Sequence, residues 1–402
     1  MGAASTTVPG EEFARAVRAF FESNATPRAK RADRWQLPDE TVLLEPRDPE
    51  LQRRALDEAR RWSMRAFDAG FGWITGPPEY GGAGLPDECQ RVYDETSFDY
   101  DVPDQSQFAM SRHMLAPAVL EHGTEELRNR YLRGFFRGDV LGCQLFSEPD
   151  AGSDLASVRS RAVRVEGGWL VNGQKVWTSM AHLAEVGELL VRTDESRPKH
   201  RGLTMFLVDM ASPGIEVRPL RQMSGGAPFN EVFLSDVFVP DAALLGGVND
   251  GWRVAITTLM QERAAVAAGD TTQRVHLYRY LLELARSLDA NGDALVRDRL
   301  SHLYISEEIN RLAVQRLQDL AARKGSVGPE MSIPKLLFIS CLQSATSLAG
   351  RLLGPALAAD CGVPGSRGWS QFTLEAPAMR IAGGTDEIMR NVLAERVLGL
   401  PK

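Results

Sequence analysis

Glu262 and Arg263 are the residues whose placement first invites chemistry. Between Val254 and Gly269 they are the only charged side chains, and the positions three and four residues from Glu262 hold Thr258, Leu259, Ala265 and Val266. In a helix none of these pairs with the carboxylate. A carboxylate on an apolar helical face loses hydration, which raises its pKa and makes it a candidate general base near neutral pH. The same group could instead close a tertiary ion pair. A second cluster runs from Gln144 through Phe146, Ser147, Glu148 and Pro149 to Ser153 and Asp154, and is followed by Lys175-Val176-Trp177-Thr178-Ser179. A strand ending in Ser, Pro and Gly offers hydroxyls and free backbone N–H groups to an anionic or heteroaromatic ligand, and a Trp beside hydroxyls packs on a flat ring while they bond its edge. Taken singly, these are also ordinary turn residues. A third cluster, Ala382-Gly383-Gly384-Thr385-Asp386-Glu387-Ile388, sets two glycines before a candidate N-cap threonine. It reads as a close backbone approach with an anion at a helix start, or as an ordinary capped helix.

The elements that must position these clusters follow from the periodicities. From about residue 10 to 140 the apolar spacing is helical, with Phe13, Val17, Phe20 and Phe21 as its first turns, then 51–67 and 115–132. The Gly/Pro-rich loop from Gly72 to Gly84 interrupts it, and two prolines ahead of the glycines exclude a dinucleotide fingerprint there. Between 141 and 245 the period becomes two, over 161–165, 169–173, 203–208, 232–234 and 237–239, with Gly167-Gly168 as a hairpin signal. From Gly251 long helical patterns return over 252–268, 294–323 and 331–360 and continue to Leu398. The expected class is α+β multidomain: an N-terminal all-α domain over 1–140, a middle β-barrel or sandwich over 141–248 and a C-terminal helical domain over 249–402.

Composition narrows the partners. The chain has 402 residues, 46 Lys and Arg against 53 Asp and Glu, a net charge of -7 and 44% hydrophobic residues, the balance of a globular protein of two or three domains. Uninterrupted apolar runs stay short of the roughly 18 to 20 residues of a membrane span, and the basic residues form no stripe, so neither membrane nor nucleic acid is expected as a partner. Cys89, Cys143, Cys341 and Cys361 lie far apart and the histidines lack metal spacing, which points to reduced thiols in a cytoplasmic setting and to no metal site. Glu11 and Glu12 stand where a signal peptide would carry its apolar core. Lysine is rare: only Lys30, Lys175, Lys199, Lys324, Lys335 and Lys402.

Taken together and in this order, the clusters resemble the acyl-CoA dehydrogenase family of flavoproteins. The resemblance spans nearly the whole chain: Tyr80-Gly81-Gly82-Ala83-Gly84, His122-Gly123-Thr124-Glu125-Glu126, the Ser147 to Asp154 segment, Trp177 to Ser179, and Gly383 to Asn391. It implies a C-terminal four-helix domain, bound FAD, an acyl-CoA substrate, a homotetramer or mixed tetramer, and an electron-transfer flavoprotein or similar acceptor. It also implies roles: Gln144, Phe146, Ser147, Trp177 and Ser179 around the flavin ring, Thr385 and Glu387 on the cofactor, and Ser153 and Arg263 near the CoA thioester. Most members carry the catalytic glutamate directly before the Gly-Thr of the last motif, where this chain has Gly383. The isovaleryl and long-chain types carry it on the first helix of the C-terminal domain before an Arg, where this chain has Glu262. By this resemblance Glu262 takes the α-proton of the acyl-CoA while the β-hydrogen leaves as hydride to flavin N5, giving the 2,3-enoyl-CoA. Donors at the thioester oxygen, a flavin ribityl hydroxyl and a backbone N–H near Gly383, stabilise the enolate-like transition state.

The chain departs from the family pattern in two places. Thr271 to Leu300 has no Arg-x-x-Phe-Gly segment, and the usual Gln-x-x-Gly-Gly-x-Gly is reduced to Leu352-Leu353-Gly354-Pro355, so FAD contacts across a subunit interface are not expected in the family's usual form. Two other readings compete: a flavin oxidase or monooxygenase of the same fold, and a non-catalytic partner subunit of a mixed tetramer. The monooxygenase needs neither carboxylate slot filled, and the partner subunit would lose the base and flavin motifs that this chain keeps.

Overall fold

The computed structural model describes residues 9–28, 49–268, 276–324, 328–359, 361–363 and 365–401. These form two compact units. The first contains the N-terminal helices, the strands, and the opening turns of one further helix up to Thr258; the second contains Arg221–Gly226 and, from Leu259, all that follows.

In the first unit the helical spacing produces α1 (Pro9–Asn24), α2 (Pro49–Asp68), α3 (Asp87–Ser97), α4 (Ala116–His122) and α5 (Glu125–Arg137). The apolar stripe of α1 buries Val17 and Phe21 completely against Trp62, Ala66 and Tyr100, with Phe21 stacked on Tyr100 at 5.2 Å. Helix α5 starts on Thr124, whose hydroxyl accepts from the Leu127 N–H, carries Glu125 and Glu126 in its first turn, and stops at Gly138 with φ 89°. One detail differs from an all-helical reading: β1 (Thr26–Pro27) and β2 (Tyr100–Asp101) pair antiparallel. Two residues are too few to show a period.

The strands β3 (Gly142–Leu145), β4 (Arg161–Val165), β5 (Gly168–Ser179), β6 (Val186–Arg192), β7 (Leu203–Asp209), β8 (Ile215–Leu220), β9 (Phe229–Pro240) and β10 (Leu244–Leu245) form one sheet in the order β10-β7-β6-β4-β5-β9-β8, and β3 adds to β6 in parallel. The hairpin signal holds: Val165 faces Gly168 across the β4–β5 turn, and Gly167 takes φ 74°, which a glycine adopts freely. Alternation is clear over the first half of β9 but not in β7, where the six residues Leu203–Val208 are all buried. The period-two reading of 203–208 is corrected on this point. Side chains on both faces of β7 are buried, and a strand covered on both faces carries a near-continuous apolar run, here broken only by Thr204. The neighbouring β6 is continuously buried for the same reason, and has Glu188 in its middle.

Helix α6 (Gly251–Ala268) leads into α7 (Leu277–Ser287), α8 (Ala294–Lys324), α9 (Ser332–Leu353), α10 (Ser366–Met379) and α11 (Asp386–Arg396). The core of the second unit gathers Leu281 and Leu284 of α7, Leu342, Ala345 and Leu348 of α9, and Trp369 and Phe372 of α10. Residues 329–357 are long and apolar enough to cross a membrane by length and composition, but α9 lies in this core and carries the buried Lys335 one turn from its start. The helix expected over 331–360 ends at Leu353. Gly354 leaves the helical region at φ 50°, ψ -125°, and Pro355 after it disfavours helical backbone at the preceding residue.

Candidate functional site

Within the first unit, β3 and β5 bring the second sequence cluster together. Strand β3 runs parallel to β6 with Gln144 opposite Glu188, and releases Phe146, Ser147 and Glu148 at its end. There the chain folds back, with Glu148 and Ala151 exchanging main-chain hydrogen bonds of 3.1 and 3.0 Å. Strand β5 closes on this loop: the Val176 N–H donates to the Ser147 carbonyl at 2.9 Å, and the Lys175 ammonium donates to the Phe146 carbonyl at 3.0 Å and to Glu148 Oε1 at 2.8 Å. Glu148 also accepts from the backbone N–H of Arg159 at 2.6 Å and of Ser160 at 2.9 Å. Both partners of this ion pair are buried. Burial by itself raises the Glu148 carboxyl, but the Lys175 charge and the backbone donors outweigh it and hold the group below the ordinary carboxylate value. Burial likewise pulls Lys175 below the ordinary lysine value, with Glu148 pulling it back.

A bulge between Lys175 and Thr178 breaks the pairing of β5 with β9. It puts Trp177 at φ 61°, in the left-handed region a tryptophan seldom occupies, and turns its ring outward, 60% exposed and edge-on to Phe229 at 6.0 Å. Backbone strain of this kind gathers at ligand-binding and active-site loops. The Gln144 amide nitrogen and the Thr178 hydroxyl are buried, and among the described residues neither has a hydrogen-bond partner. Ser179 follows, half-buried and paired with Phe229. An exposed flat ring at this point suits a flat heteroaromatic ligand. Ser153 sits outside this arrangement in an exposed turn, beside Asp154, which the Lys199 ammonium binds at 2.7 Å.

Helix α6 is tied to the sheet by a residue that sequence reasoning passed over. Thr258 is fully buried, and its hydroxyl donates to Glu188 Oε1 at 2.7 Å. Glu262 follows four residues later on the same helical face, half-buried. The side chain of Arg263 lies outside the described residues.

In the second unit the third cluster is a turn followed by α11. Thr385 caps the helix, accepting from the Ile388 N–H at 3.3 Å. Glu387 is exposed in the first turn, and its own backbone N–H, then the Thr385 hydroxyl, hold its carboxyl below the ordinary value. Gly383 and Gly384 take φ 66° and 90°. Beneath them lies Lys335 of α9, fully buried, whose ammonium donates to the Ala382 carbonyl at 2.5 Å and to the Gly384 carbonyl. The buried Asp386 is bound by Arg380 at 2.8 Å. Sequence reasoning placed Lys175 in the second cluster without giving it a role, and passed over Lys335, although in a chain with six lysines among 46 basic residues Lys335 stands out by interrupting the apolar run from Ile333 to Phe338.

Residues 10–139, 143–237 and 249–398 match the acyl-CoA dehydrogenase N-terminal, middle and C-terminal domains respectively. Among curated proteins, the chain is 47% identical over 288 residues to acyl-CoA dehydrogenase FadE34 of Mycobacterium tuberculosis, a match that takes in 71% of this chain but only 39% of that protein. It is 35% identical over 358 residues to acyl-CoA dehydrogenase IpdE1 of the same organism, covering 88% of this chain and 91% of that one. Among solved structures, a variant of the Tcur3481-Tcur3483 steroid ACAD aligns with a TM-score of 0.76 and 25% identity, covering 98% of this chain and 99% of that one.

Proposed function

The chain belongs to the acyl-CoA dehydrogenase family, and on that premise we propose that it binds FAD and dehydrogenates an acyl-CoA thioester to the 2,3-enoyl-CoA, with Glu262 as the base. The observation that carries the cofactor assignment is Trp177, whose ring the bulge in β5 turns outward, 60% exposed, where the strand closes on the loop after β3. That exposed flat face fits the flat ring of a flavin. Gln144, Phe146, Ser147, Trp177 and Ser179 would hold that ring, with Thr385 and Glu387 as further cofactor contacts. Bound FAD supplies the acceptor for the β-hydrogen and its electron pair.

The remaining work falls to the protein. Glu262 receives the α-proton at its carboxylate. Because that proton is only weakly acidic, charge growing on the thioester oxygen must be met by fixed donors, for which the N–H at Gly383 is proposed. Ser153 and Arg263 are assigned to the CoA thioester ligand, and the Trp177 ring excludes water from the reacting face. The glycine at 383 supports the choice of base, since a glutamate there would have to adopt φ 66°.

For the acyl group we propose a bulky, ring-bearing chain, supported by the steroid ACAD among the solved relatives. That relative has two named components, and this chain lacks the Arg-x-x-Phe-Gly segment, which together support a mixed assembly with a second subunit of the same family. The acceptor is proposed to be an electron-transfer flavoprotein. The test is a visible spectrum of the purified protein, followed by anaerobic titration with butyryl-, isovaleryl-, palmitoyl- and cholyl-CoA. The expected result is a flavin spectrum that bleaches, most rapidly with cholyl-CoA. Colourless protein that FAD cannot reconstitute would sink the assignment, and peroxide formed in step with turnover would make it an oxidase.

A further inference from the structure

We infer that Lys335 is a positioning residue that polarises the peptide bearing the Gly383 N–H, sharpening that N–H as a donor to the thioester oxygen. The inference rests on the dehydrogenase reading above and deepens it. Its basis is the hydrogen bonding of the turn before α11. The Lys335 ammonium bonds the Ala382 carbonyl, which belongs to the same peptide as the Gly383 N–H, and the Gly384 carbonyl, which belongs to the same peptide as the Thr385 N–H. Among the described residues, no backbone carbonyl accepts from the N–H of Gly383, Gly384 or Thr385. Two consecutive left-handed glycines produce this arrangement, with the carbonyls turned down onto the lysine.

A cation on a carbonyl oxygen draws electron density through the amide and makes the N–H at the other end a stronger donor. Chains of hydrogen bonds reinforce one another in this way by roughly 10–30% per bond. The effect is greatest where water is excluded, and Lys335 is fully buried. Bonding a carbonyl does not by itself require a charge, because a neutral donor also bonds it and is less costly to bury than an ammonium. The charge becomes useful where negative charge develops on the far side of the peptide. Lysine suits this position better than arginine, since its ammonium is compact and directs three donors, whereas a guanidinium is a planar fork matched to carboxylates.

The test compares the FAD-loaded wild type with Lys335→Gln, which keeps a donor and removes the charge, and Lys335→Arg, which keeps the charge. The probes are the CoA thioester of the acyl chain that reduces the flavin fastest in the panel above and the S-alkyl-CoA thioether of the same chain, which has no carbonyl oxygen. In Lys335→Gln, thioester affinity should fall about 10-fold and kcat about 10- to 100-fold, less than for losing an oxyanion donor outright. Thioether affinity should change less than about 2-fold, because that ligand has no oxygen for the polarised donor to meet. The infrared stretch of a 13C-labelled thioester carbonyl should move to higher frequency in the same variant, and Lys335→Arg should fall between it and wild type. Equal losses for the two probes, or an unmoved carbonyl band, would reduce Lys335 to a packing role and overturn the inference. Should Lys335→Gln fail to fold, Lys335→Arg decides: a preference for thioester over thioether within about 3-fold of wild type supports the charge, and its collapse with the fold intact refutes it. Wild-type protein whose flavin no acyl-CoA reduces would sink the dehydrogenase reading and this inference together, whereas normal wild-type reduction with an unchanged probe ratio would sink only the inference.

Discussion

The two proposed functional regions each depend on a buried lysine, and the lysines do different work. In the sheet, Lys175 meets a carboxylate as well as a carbonyl, and with Glu148 it pins the Phe146–Glu148 loop against β5. In the helical unit, Lys335 reaches two peptide carbonyls inside a glycine turn. Lys175 sets its charge against a buried carboxylate and ties the loop to the strand, and Lys335 bonds the carbonyls of peptides whose N–H groups face away from it. On the proposed reading, the former is a cradle that holds the cofactor loop in place and the latter answers charge that develops during the reaction.

The sharpest test of this contrast removes the base and leaves the cradle intact. Glu262→Gln should lower the dehydrogenation rate by about 10²- to 10⁴-fold while FAD and acyl-CoA affinities stay near wild type. Flavin reduction at the wild-type rate in that variant would remove Glu262 from the mechanism. The relocation variant Glu262→Thr, Gly383→Glu should recover only part of the activity. A glutamate at φ 66° costs about 1 to 2 kcal/mol of backbone strain, which a thermal melt will read as a lower Tm.

The next effect belongs to the cradle. Glu148→Gln leaves the Lys175 charge buried without its carboxylate, and should cost about 3 to 5 kcal/mol in urea denaturation together with a marked rise in the FAD dissociation constant. The double variant Glu148→Gln, Lys175→Met should regain much of the loss, because no buried charge is left over. Near-additive losses would mean that the pair does not act as a unit. The pH dependence follows from the depressed Glu148 carboxyl. Its contribution is fully present above the ordinary value of 4.5 and is lost as pH falls through the lower folded value. Wild-type stability should therefore decline more steeply than that of Glu148→Gln below pH 4.5. Parallel acid limbs would count against the ion pair as the anchor.

The smallest expected effect is at the cap of α11. Thr385→Ala removes the acceptor for the Ile388 N–H and should cost about 1 kcal/mol in thermal stability. If Thr385 also contacts the cofactor, FAD affinity should drop by more than that stability loss explains, and an unchanged affinity would leave it a helix cap only.

Much of this arrangement was legible in the chain. The helical stripe of α1, the Gly167 hairpin and the Thr385 cap follow from local rules, in which a residue's neighbours a few positions away decide its conformation. The continuous burial of β6 and β7 was not legible as strand alternation, because it depends on what the fold packs over both faces of these strands. Nor was the end of α9 at Leu353 read correctly, although Gly354-Pro355 carried the signal.

For the site, residue types and order alone determined the family resemblance, the exchange of Glu262 for Gly383 and the grouping of Gln144 to Ser147 with Trp177 to Ser179. Tertiary structure decided what holds them. Glu148 and Lys175 lie 27 residues apart in the chain, Lys335 and Ala382 lie 47 apart, and Thr258 and Glu188 lie 70 apart. No periodicity links such positions. A buried charge or hydroxyl needs a partner wherever the fold supplies one, and that partner is chosen by the packing of strands and helices, which becomes defined only when the chain has folded.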